Sequence, residues 1–294
     1  MYCPRLDHFV RFNPNGTVSR CGHMTDAPQF ESLKAMDESD WVQSIKKQFE
    51  NDTWPVECQR CQKTEQENNS SIRLNAIELD KSESTPDYLQ VGGVLDNLCN
   101  AACQTCNPQC STRIGSLHGR VFPIINNSNK FQELPRERIL HLDLNGGEPS
   151  YSKNYKKVLS NLPPNLKTLR LNTNCSTVLT ELVDIANTGV QVTVTVSLDG
   201  IGAVHDFVRW PVPWTEFYNN LMAYKNMPVN LNLWTTVSVL NVDDLPNIIA
   251  FAKEHNIDHS YAYLTRPYEL SIENTDSQQV QDYIHQQKKL RGIA

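Results

Sequence analysis

The chain has 294 residues, 39% of them hydrophobic, with a formal net charge of −6 and a mean hydropathy of −0.48. That length allows a core domain of about 200 residues with a smaller one beside it, and the acidic balance argues against nucleic-acid binding, which needs a basic face. No apolar run approaches the ~18 residues of a membrane span, and Met1-Tyr2-Cys3-Pro4-Arg5 lacks the basic-then-apolar layout of a secretion signal, so a cytoplasmic protein is expected. In that compartment nine cysteines read as metal or redox ligands before disulfides.

In chain order, Phe9-Val10-Arg11-Phe12 and Thr17-Val18-Ser19-Arg20 alternate as short strands around Asn13-Pro14-Asn15-Gly16, whose Asn-Gly predicts a tight hairpin turn. Cys3 and Cys21 then flank one hairpin. Asp40 to Phe49 has helical spacing, with Trp41, Ile45 and Phe49 on one face. After Trp54-Pro55 come Cys58-Gln59-Arg60-Cys61 and a polar segment to Leu79; Lys81 to Pro86 is the best linker candidate. From Asp87 onward apolar strands alternate with amphipathic segments, the pattern of a parallel βα architecture. Strands are expected near Tyr88 to Leu95, Ile139 to Leu144, Thr168 to Leu171, Val190 to Ser197, Asn230 to Ser238 and Ser260 to Leu264. Helices are expected over Pro108 to His118, Tyr155 to Leu162, Val178 to Asn187, Trp214 to Tyr224 and Asp243 to Glu254, with a polar helix over Ser277 to Leu290. Six βα units are too few for an eight-stranded barrel. The expected fold is therefore α/β: a partial, TIM-like (βα)6 barrel at 85–294, preceded by a small hairpin-plus-helix metal-binding module at 1–84.

The densest chemistry is Cys99-Asn100-Ala101-Ala102-Cys103-Gln104-Thr105-Cys106, three thiols with C-x3-C-x2-C spacing behind an apolar strand. Three ligands leave one metal position open. A structural zinc site normally closes its shell with four ligands in two separated pairs, whereas iron–sulfur clusters are held by thiolates crowded into one loop. Forty residues after Cys106 comes Gly146-Gly147-Glu148-Pro149, again at the end of an apolar strand. Together the two motifs resemble the radical S-adenosylmethionine (SAM) superfamily. The resemblance implies a 4Fe-4S cluster on Cys99, Cys103 and Cys106, with SAM at its open iron and its amino group received by the Gly146, Gly147, Glu148 and Pro149 segment. It also implies reductive cleavage of SAM to a 5'-deoxyadenosyl radical that abstracts hydrogen from substrate. The glycines would let the backbone approach the ligand without a Cβ in the way, and Glu148 would pair with the ammonium. Thr105 departs from the family, which commonly has an aromatic or large apolar residue before the third cysteine.

Later strand ends carry further likenesses. Thr173-Asn174-Cys175 resembles the family's Thr-Asn-Gly, with cysteine replacing glycine. Ser197-Leu198-Asp199-Gly200 resembles a Ser-x-Asp that contacts the SAM ribose or methionine part, which implies Ser197 and Asp199 as contacts. Arg209 stands where many relatives carry an arginine for the SAM carboxylate. Each has an ordinary alternative, since Ser and Asp cap helices and Arg is mostly solvated. Cys110 could complete a four-thiolate cluster or zinc site, but Asn107-Pro108 reads as a helix start that carries Cys110 onto the next helix. Cys175 ends the third strand, where a barrel exposes side chains to its active site. It is the candidate catalytic cysteine, its sulfur expected beside SAM; the alternative is a buried small hydrophobe.

Near the amino terminus, Cys3, Gly16 and Cys21 have the C-x12-G-x4-C spacing found in SPASM and twitch modules, and Cys58-x2-Cys61 supplies the second half. This resemblance implies a second, auxiliary 4Fe-4S cluster on Cys3, Cys21, Cys58 and Cys61, in a module placed before the barrel rather than after it. A zinc ribbon uses the same local pattern. Relatives with auxiliary clusters often oxidise, cross-link or epimerise peptides, so the expected substrate is a peptide or protein side chain, with a small metabolite or nucleotide-derived compound as the alternative. A reductant such as flavodoxin or ferredoxin is implied as a partner. The rival from another class is a non-catalytic, zinc-stabilised binding protein.

Overall fold

The computed structural model describes residues 1–119 and 123–293. Its centre is one eight-stranded sheet in the order β2-β1-β3-β4-β5-β6-β7-β8. The strands are β1 (Phe9–Phe12), β2 (Val18–Ser19), β3 (Leu89–Val94), β4 (Ile139–Asn145), β5 (Thr168–Thr173), β6 (Gln191–Ser197), β7 (Asn230–Val237) and β8 (Asp258–Tyr263). Only β2 pairs antiparallel, with β1; every other neighbouring pair is parallel. The sheet does not close, so β2 and β8 are its edges. This is the partial-barrel α/β fold that the alternation predicts.

Strand chemistry sets the two faces. In β6 Val192, Val194 and Val196 are buried, while Thr193, Thr195 and Ser197 point to the other side; β-branched residues suit such a half-buried pleat. The apolar face is covered by the crossover helices, of which Trp214–Lys225 buries Phe217, Leu221 and Tyr224 at helical spacing. The opposite, inner face is polar, with Asp143 and Asn145 on β4 and Arg170 and Asn172 on β5 standing across from buried leucines.

The amino-terminal region is built into this sheet. β1 pairs β3 from Phe9↔Gln90 to Phe12↔Gly93, and Val10, Phe12, Val18, Met36 and Val42 share one hydrophobic core with Leu142, Leu171 and Val194. A second cluster of Leu6, Ile45 and Phe49 packs with Trp54 around Cys3 and Cys58.

Three local expectations need correction. The Asn13–Gly16 connection is not a two-residue turn: the Gly16 amide bonds the Asn13 carbonyl at 3.1 Å and only Gly16 of the four takes positive φ, +84°, as in longer hairpin loops. The polar stretch after Cys58 forms two helices, Gln59–Asn68 and Ile72–Ser82, the second capped by the Ser71 hydroxyl on the Leu74 amide. The linker candidate is anchored, because the Glu83 side chain is 5% exposed and bonds His141 at 3.1 Å and also Lys167. Among the described residues no helix is long and apolar enough to cross a membrane.

Candidate active site

The segment from Asp96 to Ser111 follows β3 and lies over the carboxyl ends of the strands, the ligand-binding end of parallel βα folds. Backbone bonds hold it along the chain that follows β6: Ala102 N to Trp210 O and Gln104 N to Val208 O, both 2.8 Å. From the other side, Arg291 of the carboxyl-terminal helix Ser277–Arg291 gives its Nε hydrogen to the Ala102 carbonyl at 3.0 Å. Cys103 is buried, and Cys99 and Cys106 are half-buried. Burial and the neighbouring Cys103 push the Cys99 thiol up to about 12, while the Ala101 amide, 3.4 Å from its sulfur, works the other way. Cys103 is likewise raised by burial and opposed by the Arg209 charge. Three thiols raised by burial in one loop, Cys99 and Cys106 also by their neighbours, are a donor set that a cation stabilises as thiolates.

Gly146 and Gly147 take φ of +84° and +56°. A Cβ on Gly146 would stand 2.6 Å from the Asp96 carbonyl, and one on Gly147 2.5 Å from both Asp96 Oδ1 and the Leu98 carbonyl. The glycines therefore make room for the base of the cysteine loop, whereas the sequence suggested that they make room for ligand. Asp96, fully buried, accepts from the Leu98 amide, Asn154 Nδ2 and the Ser152 hydroxyl, locking the two loops together. Glu148 is 1% exposed. Its Oε1 accepts from Ser150 N, Ser150 Oγ and Thr173 Oγ1 at 3.1, 2.8 and 2.7 Å, and its Oε2 from Asn174 N at 2.6 Å. Burial raises its pKa against these donors. Oε2 keeps an acceptor position. Pro149 is buried behind it.

Asn174 ties the end of β5 to the cysteine loop, donating to Asn100 Oδ1 at 2.8 Å with Cys99 Sγ at 3.9 Å. Ser197 ends β6 on the inner face. Asp199 and Arg209 meet each other: Asp199 Oδ2 accepts from Arg209 Nη1 at 3.1 Å and Oδ1 from the Thr236 amide at 2.7 Å. Burial acts to lower the Arg209 pKa, but the charges of Cys103, Asp199 and Cys106 leave it raised. Its guanidinium lies beneath the cysteine loop, with Nε buried and unpartnered.

Two cysteine readings change. The helix expected from Pro108 begins at Thr112, behind a Ser111 cap, so Cys110 lies in the preceding turn. There it neighbours Cys106, and the interaction between the two thiols lowers the Cys110 pKa while it raises that of Cys106. Cys175 is fully buried, and its sulfur packs against the Phe217 carbonyl at 3.8 Å, under the helix Trp214–Lys225. Its backbone is left-handed, φ +60°. The catalytic assignment to Cys175 is withdrawn: that φ turns the side chain into the helix layer and away from the inner face.

Cys3, Cys21, Cys58 and Cys61 line one cavity at the amino-terminal end of the fold, walled by Trp54 and Phe49 and rimmed by Arg5, His23 and Arg73. Burial pushes Cys3 up to about 12 and raises Cys58 and Cys61, and the other thiols add to the rise at Cys3 and Cys58. Arg73 bonds Glu65 at 2.9 Å and the Tyr2 carbonyl at 2.8 Å, bracing the two chain segments that carry the cysteines. Spacing alone did not single out Arg5 or Arg73. Among the described residues no three His, Cys, Asp or Glu side chains gather around the position of a single metal ion.

No family model matches the chain, and no curated protein matches it by sequence. Among solved structures it is similar to Streptococcus suis SuiB bound to S-adenosylmethionine, at 15% identity and a TM-score of 0.48, over 96% of this chain and 70% of that one. It is similar over the same shares to SuiB bound to the precursor peptide SuiA, at 16% identity and a TM-score of 0.48. A third similar structure is native anSMEcpe with bound AdoMet and the Cp18Cys peptide, at 14% identity and a TM-score of 0.42, over 59% of this chain and 50% of that one.

Proposed function

We propose that this protein is a radical SAM enzyme that modifies a peptide or protein side chain. One observation carries the reading: a three-cysteine loop and the Gly146–Pro149 loop are packed into a single unit over the carboxyl ends of parallel strands. The donor set fits a cluster with one open position, Cys99, Cys103 and Cys106 being its ligands. When bound, the cluster and SAM supply a reductively generated 5'-deoxyadenosyl radical. Glu148 Oε2 receives the SAM ammonium, Asn174 fixes the β5 end beside Cys99, and Ser197 offers its hydroxyl from the inner face. Asp199 is a positioning residue, holding Arg209 so that its positive charge offsets the thiolates.

The amino-terminal quartet, in a module we assign to 1–84, fits a second 4Fe-4S cluster with four protein ligands, beside a core at 85–294. A peptide substrate agrees with an inner face rich in amide side chains, among them Gln90, Asn145, Asn172 and Asn232. The one-electron donor would be a flavodoxin or ferredoxin, and a chain with nine free cysteines agrees with a reducing, cytoplasmic setting.

Anaerobic purification with metal and sulfide analysis tests the proposal. About eight irons per chain with matching sulfide, and 5'-deoxyadenosine release on reduction, are expected. Stoichiometric zinc in both cysteine sets would end the reading.

A further inference from the structure

The cavity shared by Cys3, Cys21, Cys58 and Cys61 has largely apolar walls, and the charge that reaches it is of one sign. Arg5 and Arg73 line it together with His23, and among the described residues no carboxylate does. The two arginines differ. Arg73 is neutralised within the fold, its Nε donating to Glu65 Oε1 at 2.9 Å. Arg5 opens the short helix Arg5–His8 just after Cys3, on a turn closed by the Leu6 amide on the Cys3 carbonyl at 3.1 Å. Its guanidinium lies 3.4 Å from the centre of the Phe9 ring, and its Nε is buried without a partner. Asp7, the acid of the same helix, pairs with Lys46 at 2.5 Å instead. Among the described residues the Arg5 side chain forms no ion pair and no hydrogen bond.

A guanidinium held inside a fold without a counter-ion costs stability. Elsewhere this chain supplies one, to Arg73 from Glu65 and to Arg209 from Asp199. In the cavity of Arg5 the groups able to become anions are the four thiols. Four thiolates around a 4Fe-4S core leave a net double negative charge in the oxidised state and a triple one in the reduced state. Apolar walls of low dielectric oppose the added electron, and an uncompensated cation in the same wall favours it. The His23 amide acts in the same sense as that cation, since it donates to Cys21 Sγ at 3.3 Å.

We propose that Arg5 is the counter-charge of the amino-terminal cluster, raising its reduction potential so that the quartet carries an electron and is not only a structural clip. It acts through the cluster and touches no substrate. The electron comes from the flavodoxin or ferredoxin already assigned as donor: the donor loses one electron, the cluster gains it, and no bond or proton moves. The inference rests on the reading of Cys3, Cys21, Cys58 and Cys61 as ligands of a 4Fe-4S cluster.

The test is a redox titration followed by electron paramagnetic resonance on the full, anaerobically loaded chain with Cys99, Cys103 and Cys106 changed to Ala, which leaves the amino-terminal set alone. Adding Arg5→Gln should lower the ratio of reduced to oxidised cluster at a fixed potential by about tenfold, a shift of ~59 mV for one electron. Arg5→Lys, which keeps the charge, should hold most of the parent value. Glu65→Gln should move the midpoint the other way, because it releases the Arg73 charge toward the cavity. A fully loaded Arg5→Gln protein with the parent midpoint overturns the proposal, as does an Arg5→Lys midpoint that falls as far as that of Arg5→Gln. Loss of iron from Arg5→Gln but not from Arg5→Lys supports a need for the charge; loss from both marks a structural arginine and overturns it. Photoreduced flavodoxin should reduce the cluster of the parent, and a cluster that stays oxidised sinks the electron-carrying role. Metal analysis before any titration reports on the cluster reading separately, since zinc at the quartet ends that reading, and this inference with it, whereas a loaded iron cluster with an unmoved midpoint ends this inference alone.

Discussion

Glu148 concentrates the electrostatics of the site. Its carboxylate is fully enclosed and accepts four hydrogen bonds, from Ser150, Thr173 and Asn174, which oppose the rise that burial imposes on its pKa. A raised carboxylate pKa means that the charged form, needed to hold an ammonium, is present above that pKa and is lost as pH falls through it, earlier than for a solvated glutamate. SAM affinity should therefore drop on mild acidification. Glu148→Gln should weaken SAM binding by roughly 1.5 to 3 kcal/mol and flatten that pH dependence; calorimetry across pH with iron content held constant measures both. Cys175 is a different kind of residue. Its left-handed φ explains why glycine occupies the matching position in the Thr-Asn-Gly likeness, and its buried sulfur explains why the chain tolerates a side chain there. Cys175→Gly should trade a backbone strain of about 1 kcal/mol against a small cavity and leave stability nearly unchanged. Cys175→Val, β-branched at positive φ, should lose more than about 2 kcal/mol in urea unfolding.

Among the elements, the cysteine loop is held on three sides, by residues 207–210, by Asp96 and its partners, and by Arg291 of the last helix. It should keep its shape without metal. Changing Cys99, Cys103 and Cys106 together to Ala is expected to lower iron from about eight to about four per chain and to abolish SAM cleavage, with far-ultraviolet circular dichroism unchanged. Cys110→Ala should retain the iron, because Cys110 lies in the turn closed by its amide on the Asn107 carbonyl, outside the C-x3-C-x2-C set; loss of half the iron would make it a ligand. The strands from β3 to β7 were legible because each carries apolar residues in a run or in alternation between breakers, and β8, polar and exposed, was legible from its place after a helix in the βα order. The helices Gln59–Asn68 and Ile72–Ser82 were not, because Cys61 is the only buried side chain of the first, and Arg73 and Ala76 alone are buried in the second. The cysteine and glycine motifs could be read from spacing.

At the scale of the whole molecule, the amino-terminal hairpin and the barrel share one sheet and one core, so neither is finished without the other. A chain beginning at residue 85 would leave the paired edge of β3 open, with Gly92 and Gly93 offering no side chains to shield it. Exposed flat edges of this kind associate. Such a chain should appear as high-mass species in light scattering, and a soluble monomer would show that the hairpin is dispensable. The pairing of β1 with β3 also sets an order of events during synthesis. β1 leaves the ribosome first but has no parallel neighbour until β3 follows, a wait of roughly 4 to 16 s at about 5–20 residues per second. During that interval Cys3, Cys21, Cys58 and Cys61 are free thiols on an unfinished chain, open to whichever metal arrives first. If the quartet takes up metal in that interval, as proposed, its occupant follows the relative speed of translation and metal delivery, and the same gene expressed in zinc-rich and in iron-rich medium should yield proteins whose metal analysis differs at the amino-terminal quartet.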